Sequence, residues 1–150
     1  MRVKPGEKGF TLLELVIVLF ITVLGFSVIG FNLSSGNEAS KLKAAARDLA
    51  SALRYAREQA LISHQEATVT IDLASNTYTV NQRDKVYVMP EEIDVTLVTA
   101  QSELNQGLAG VRFFPDGSST GGRITLEWGN AGWRIDINWL TGQIELEENE

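Results

Sequence analysis

At 150 residues the chain has room for one compact domain, and part of that length is a single apolar N-terminal segment, leaving roughly 110 residues for a globular body. It contains no cysteine, which excludes a disulfide framework, a thiolate metal site and a cysteine nucleophile. The formal net charge of −6 is uneven: Arg2, Lys4 and Lys8 outweigh Glu7 in the first nine residues, while the remainder, about −8, ends in the acidic stretch GQIELEENE, a surface that repels phosphates.

Residues 15–37 carry no charged side chain, a run of about 22 residues and long enough to cross a bilayer core as a helix. A cationic stub ahead of such a span predicts that the N-terminus stays cytoplasmic and the bulk of the chain crosses. A cleaved signal peptide fits poorly, because the run is longer than an ordinary apolar core and no small-residue cleavage site follows it. Glu14 argues against a plain anchor: a carboxylate at the edge of a span costs several kcal/mol unless it is paired or reaches the interface, so it is a functional candidate. If the chain were cut between Gly9 and Phe10, the new α-amino group would lie four residues before Glu14, one helical turn away and able to pair with it in the same chain or a neighbour.

The stretch KGFTLLELVIVLFI resembles the prepilin motif of type IV pilins and type II secretion pseudopilins: a short basic leader ending in Gly9, then Phe10, Thr11, Leu12, Leu13 and Glu14. The resemblance implies that a prepilin peptidase cuts after Gly9 and methylates the Phe10 amine. It also implies that Glu14 helps dock a new subunit against its neighbour's N-terminus. A buried carboxylate would then set register in a filament at some cost in stability. The expected organisation is a leader over 1–9, a transmembrane and filament-core helix over 10–36, and a periplasmic domain over 37–150.

The N-terminal helix is expected to be one long element with a membrane-spanning first half and an amphipathic second half; poor helix formers at Asn32, Ser34, Ser35, Gly36 and Asn37 leave room for a bend or a local restart, and Ser35 with Glu38 has capping-box spacing. Leu42, Ala46, Leu49, Leu53, Ala56 and Ala60 then recur at three and four residues, which predicts an amphipathic helix over 38–64 whose alanine-rich face lies close against a sheet. After Gln65 the period changes to two. About eight short strands within 66–148, punctuated by turn residues, predict antiparallel sheets packed as a sandwich or roll, so the fold class is α+β. The connection AQSELNQGLAG has no clear period and is expected to be a mobile surface loop.

RFFPDGSSTGGRI is similar to a motif of the H-type minor pseudopilins and related minor pilins, and WRIDINWLTGQIEL resembles their closing hairpin. The first stretch reads chemically as a hairpin: Pro115 and Asp116 suit a turn, Gly117, Gly121 and Gly122 supply positive φ, and the serines bond locally. The resemblance implies a pilin-like fold and a minor pseudopilin at or near the tip of a periplasmic pseudopilus. Implied partners are other minor pseudopilins, the major pseudopilin, the inner-membrane assembly platform and prepilin peptidase. A minor type IV pilin in pilus assembly or DNA uptake is the alternative, and a membrane-tethered binding domain unrelated to filaments is a third.

No catalytic constellation, cofactor or nucleic-acid site is expected. His64, the only histidine, falls at a helix end, and Ser118 with Asp116 lacks nucleophile-elbow spacing. Asp94, Asp116, Glu145, Glu147 and Glu148 could attract calcium, but no EF-hand is present and a solvated acidic tail is the simpler reading. Trp128, Trp133 and Trp139 are expected to supply core or partner-facing area. Arg112, Arg123 and Arg134 are scattered among acids and form no basic cluster.

Overall fold

The computed structural model describes residues 10–81, 83, 85–99, 104–105 and 107–149, the side chains of 26–36 and 104–105 excepted. The expected leader, Gly9 included, lies outside the described residues. The chain divides into two units, Met1–Asn37 and Glu38–Glu150.

One helix, α1 (Leu12–Ser63), runs through both. It does not restart near Ser35, and Ser35 and Glu38 lie inside the helix. The reason is cooperativity. Each serine, asparagine or glycine costs less than about 1 kcal/mol in a helix already propagating, whereas a fresh start must nucleate again.

In the first unit the side chains from Phe10 to Leu24 are exposed whatever direction they face. A helix apolar all round needs a surrounding phase, lipid or protein. Among the described residues no helix is long and apolar enough to cross a membrane, and the second half of the apolar run falls within 26–36, whose side chains are not described.

In the second unit Leu42, Ala46, Leu49, Ala50, Leu53, Ala56 and Ala60 are fully buried, on the face that the three-and-four periodicity predicts. Four of these seven side chains are single methyl groups, so little bulk stands between the helix backbone and the strands. The helix stops at His64, which takes the left-handed conformation (φ 55°) of a C-terminal cap and stays exposed.

Among the described residues nine strands follow: β1 (Ala67–Asp72), β2 (Thr77–Val80), β3 (Val86–Val88), β4 (Asp94–Val98), β5 (Leu104–Asn105), β6 (Leu108–Phe113), β7 (Gly122–Trp128), β8 (Ala131–Ile137) and β9 (Ile144–Asn149). They form two antiparallel sheets, ordered β3-β2-β1-β6-β5 and β4-β7-β8-β9. Val69, Ile71, Val111 and Phe113 of the first and Ile124, Leu126 and Ile135 of the second share one core with the helix.

Two expectations are corrected. Residues 100–110 are not all loop, because Leu104 pairs with Ala109 and Asn105 with Leu108 around Gly107 at φ 86°. A two-residue strand is too short to show a period of two. Residues 100–103 and 106 lie outside the described residues.

The stretch from Arg112 to Ile124 does not join neighbouring strands of one sheet. Its turn closes locally, Gly117 N–H donating to Phe114 O (2.9 Å) and Phe114 N–H to Ser118 O (2.9 Å), and then the chain leaves β6 for β7 in the other sheet. Gly117, Gly121 and Gly122 all take positive φ, as expected of them.

This crossover is tied to the β8–β9 turn. Ser119 N–H donates to Trp139 O (2.8 Å) and Ser119 Oγ to Asn138 O (3.0 Å). Asn138 Oδ1 accepts from the amides of Leu140 (2.9 Å) and Thr141 (3.1 Å). From the helix, Arg57 Nε donates to Thr141 O (3.2 Å). At Gly142 (φ 63°) a Cβ would stand 2.3 Å from Gly117 O and 2.9 Å from Arg57 Nε, so only glycine fits where three segments converge.

Gly142→Ala is therefore expected to lose roughly 3 kcal/mol, from backbone strain and a forced shift together. Gly129→Ala, also at positive φ but facing open space, should lose about 1 kcal/mol. Denaturant unfolding of the full chain in detergent separates them; equal losses would reduce the constraint at Gly142 to its dihedral angle.

Candidate functional site

The start of α1 is built by Thr11. Its hydroxyl accepts from Glu14 N–H (3.2 Å) and its carbonyl from Leu15 N–H (3.2 Å), the geometry of an N-cap. Glu14 thus occupies the third helical position, where a carboxylate favours the positive end of the helix dipole. Phe10, Glu14, Leu15 and Val18 lie together on one side of this turn, all exposed. The one carboxylate in the first turn is offered outward, beside the aromatic ring four residues earlier. The cap was legible as Thr-x-x-Glu spacing and was not anticipated.

The other candidates resolve into structural roles. Ser118 Oγ donates to Asp116 Oδ1 (2.6 Å), as does Ser118 N–H (3.0 Å), and these two bonds, the hydroxyl's foremost, hold the Asp116 carboxyl below the usual range. The Ser118 hydroxyl is committed to a turn. His64 stands apart as the helix cap. Among the described residues no three His, Cys, Asp or Glu side chains gather as metal ligands; Glu147 instead accepts from Arg134, and Glu145 from Gln143 Nε2 (3.1 Å).

Each of the three scattered arginines is paired: Arg112 with Glu66 (2.9 Å), Arg123 with Asp136 (2.6 Å), and Arg134 with Asp136 (2.9 Å) and Glu147. Trp128 and Trp133 pack against the core beneath the ammonium groups of Lys41 and Lys43, whereas Trp139 is 67% exposed.

A groove of about 390 Å³ between α1 and β3 is walled by side chains that hold one another in place. Tyr78 and Tyr87 stack at 4.9 Å, and the Arg83 guanidinium lies 3.7 Å from the Tyr55 ring centroid while donating to Tyr87 Oη (2.9 Å). Burial, with Asp48 and Tyr87 nearby, pushes the Tyr78 phenol up to about 12.

A capped apolar helix feeding an alanine-faced second half, two small antiparallel sheets and a glycine-built crossover define a pilin-like subunit. Residues 4–30 match the prokaryotic N-terminal methylation motif, and residues 45–142 match the family described as type II transport protein GspH. The chain belongs to the GspH family, whose members are structural subunits of the type II secretion pseudopilus. It is 30% identical over 146 residues to type II secretion system protein H of Xanthomonas campestris pv. campestris, covering 95% of this chain and 84% of that protein.

Its fold is similar to that of the minor pseudopilin EpsH of Vibrio cholerae (TM-score 0.59, 15% identity, 75% of this chain and 97% of that one). It is also similar to that of the type IV minor pilin FimU of Pseudomonas aeruginosa (TM-score 0.57, 14% identity, 72% and 89%). Motif and family together are those of a membrane-anchored pseudopilus component.

Thr11→Ala should leave the domain intact and fray the first turn. Losing an N-cap of about 1 kcal/mol corresponds to roughly fivefold faster hydrogen exchange at the Glu14 amide, read on the full chain in detergent. Exchange unchanged there would mean the cap is supplied by another group.

Proposed function

We propose that the chain serves as a minor pseudopilin of a type II secretion system, stored in the inner membrane with its domain in the periplasm and inserted at or near the tip of the pseudopilus. In this reading prepilin peptidase cuts between Gly9 and Phe10 and methylates the Phe10 amine. Other minor pseudopilins, the major pseudopilin and the inner-membrane assembly platform are its partners. Glu14 docks against the N-terminus of a neighbour.

The observation that carries the proposal is the contrast between the two ends of α1. The second half completes a core with no need of further partners, whereas the first presents apolar side chains in every direction around one outward carboxylate. Lipid satisfies those side chains and disfavours the carboxylate; a bundle of like helices satisfies both, once an amine lies opposite.

The test uses a host carrying prepilin peptidase and the other secretion genes. Intact-mass and terminal-peptide analysis should find a mature chain beginning at methylated Phe10, and Gly9→Leu should block the cut. Glu14→Ala should insert in the membrane as well as the parent while its recovery in sheared filaments falls at least tenfold. Cleavage at another bond would overturn the maturation step, and undiminished filament recovery would remove Glu14 from docking.

A further inference from the structure

Charge within the domain is divided between its helix and its strands. From Glu38 to Ser63 five cations, Lys41, Lys43, Arg47, Arg54 and Arg57, face three carboxylates. From His64 onward fourteen carboxylates face five cations. The helix is therefore a positive element on a strongly negative body.

Three of the helical cations share one stripe. Lys43, Arg47 and Arg54 stand four and seven residues apart, on the side of α1 nearest the second sheet, and all three are exposed. Lys43 lies over the Trp133 ring (5.4 Å) and Arg54 reaches Ile144 O (3.4 Å), contacts that hold the side chains in place without neutralising them. Among the described residues no carboxylate stands within ion-pair distance of any of the three. This differs from the sheet arginines, each of which has such a partner.

The outer face of the second sheet has the opposite surplus. Alternation along β4, β7, β8 and β9 places Asp94, Glu127, Asp136, Glu145 and Glu147 there with only Arg123 and Arg134 among them. Those two arginines are occupied by Asp136 and Glu147. Asp94, Glu127 and Glu145 are exposed, and among the described residues no cation stands within ion-pair distance of them.

We infer that the Lys43–Arg47–Arg54 stripe is a docking surface for the acidic outer sheet of a neighbouring pilin-like subunit. The inference rests on the filament function proposed above. Two different patches that complement one another make a heterologous contact, the kind that repeats along an open filament instead of closing a symmetric dimer. Exposed ion pairs are individually weak and are screened by salt, so the stripe sets the rotation of a subunit whose apolar helix supplies most of the attachment.

Carbodiimide coupling reads such a contact directly, since it condenses a lysine amine with a touching carboxylate, with loss of water, and leaves an isopeptide bond. Applied to host membranes containing the full chain and its secretion partners, it should join Lys43 to an aspartate or glutamate on a β-strand of another pilin-like subunit, identified by peptide mass. Arg47→Glu with Arg54→Glu, keeping Lys43, should lower that product at least fivefold. Arg47→Lys with Arg54→Lys should retain it and add products at the new amines. Raising sodium chloride from about 50 to 500 mM should weaken the coupling severalfold.

Products confined to helices or to lipid, or a yield indifferent to charge reversal, would overturn the docking surface. If the mature chain is present in filaments and these products are missing, docking alone fails. If the chain is neither matured nor found in filaments, the function itself fails.

Discussion

The fold depends on one contact, the alanine-and-leucine face of α1 against two sheets at once. Leu42, Leu49 and Leu53 are fully buried, each worth about 1.5–3 kcal/mol of burial, and Ala46, Ala50, Ala56 and Ala60 keep the backbone close enough for strands of both sheets to reach the same helix. Neither sheet has its inner face closed without that helix. The same helix is assigned back to Leu12 without a new start, so the exposed apolar half and the element around which the domain is built belong to one run of helix.

The glycine-built corner is a second-level consequence. Chain passing from β6 to β7 must change sheets, and it does so across the end of the domain where the helix finishes. Arg57, Gly117, Ser119, Asn138 and Gly142 bring three distant segments together there. Hydrogen bonds account for the polar side chains in the stretch: Ser118 donates to Asp116, Ser119 donates to Asn138 O, and Thr120 accepts from the Arg112 amide. The conspicuous Ser-Ser-Thr-Gly-Gly composition is what a tight crossover needs.

Much of this was legible in the sequence, for identifiable reasons. A period of two marked β1, β2, β4, β7, β8 and β9 because one face of each is buried, and a period near 3.6 marked the helix face residue by residue. Glu14 stood out because one carboxylate interrupts an apolar run. What could not be read is long-range. Arg57 looks like an ordinary surface cation until Gly142 arrives beside it from more than eighty positions away. The two-residue β5 has no period to detect, and the assignment of β6 and β7 to different sheets depends on pairings no local window contains. Whether the helix runs on through Asn32–Asn37 could not be read there either, because propensity is local whereas propagation is decided by the whole helix.

The charge division adds a step that neither family nor fold supplies. An acidic body would repel its own copies and relatives in a filament, where neighbouring domains must lie side by side. Pairing Arg112, Arg123 and Arg134 with carboxylates on their own chain relieves only part of that repulsion, since the strands retain a large excess of acid. Cations left uncompensated on the helix, and placed in a single stripe, convert a uniform repulsion into a directional one: two acidic sheets still repel, but a sheet facing a helix does not. Apolar helices packed in a bundle are nearly indifferent to rotation about their axes. A weak, salt-screened polarity carried by the domain is then sufficient to choose one rotation among many, because it needs to discriminate between arrangements whose apolar attachment is already nearly equal.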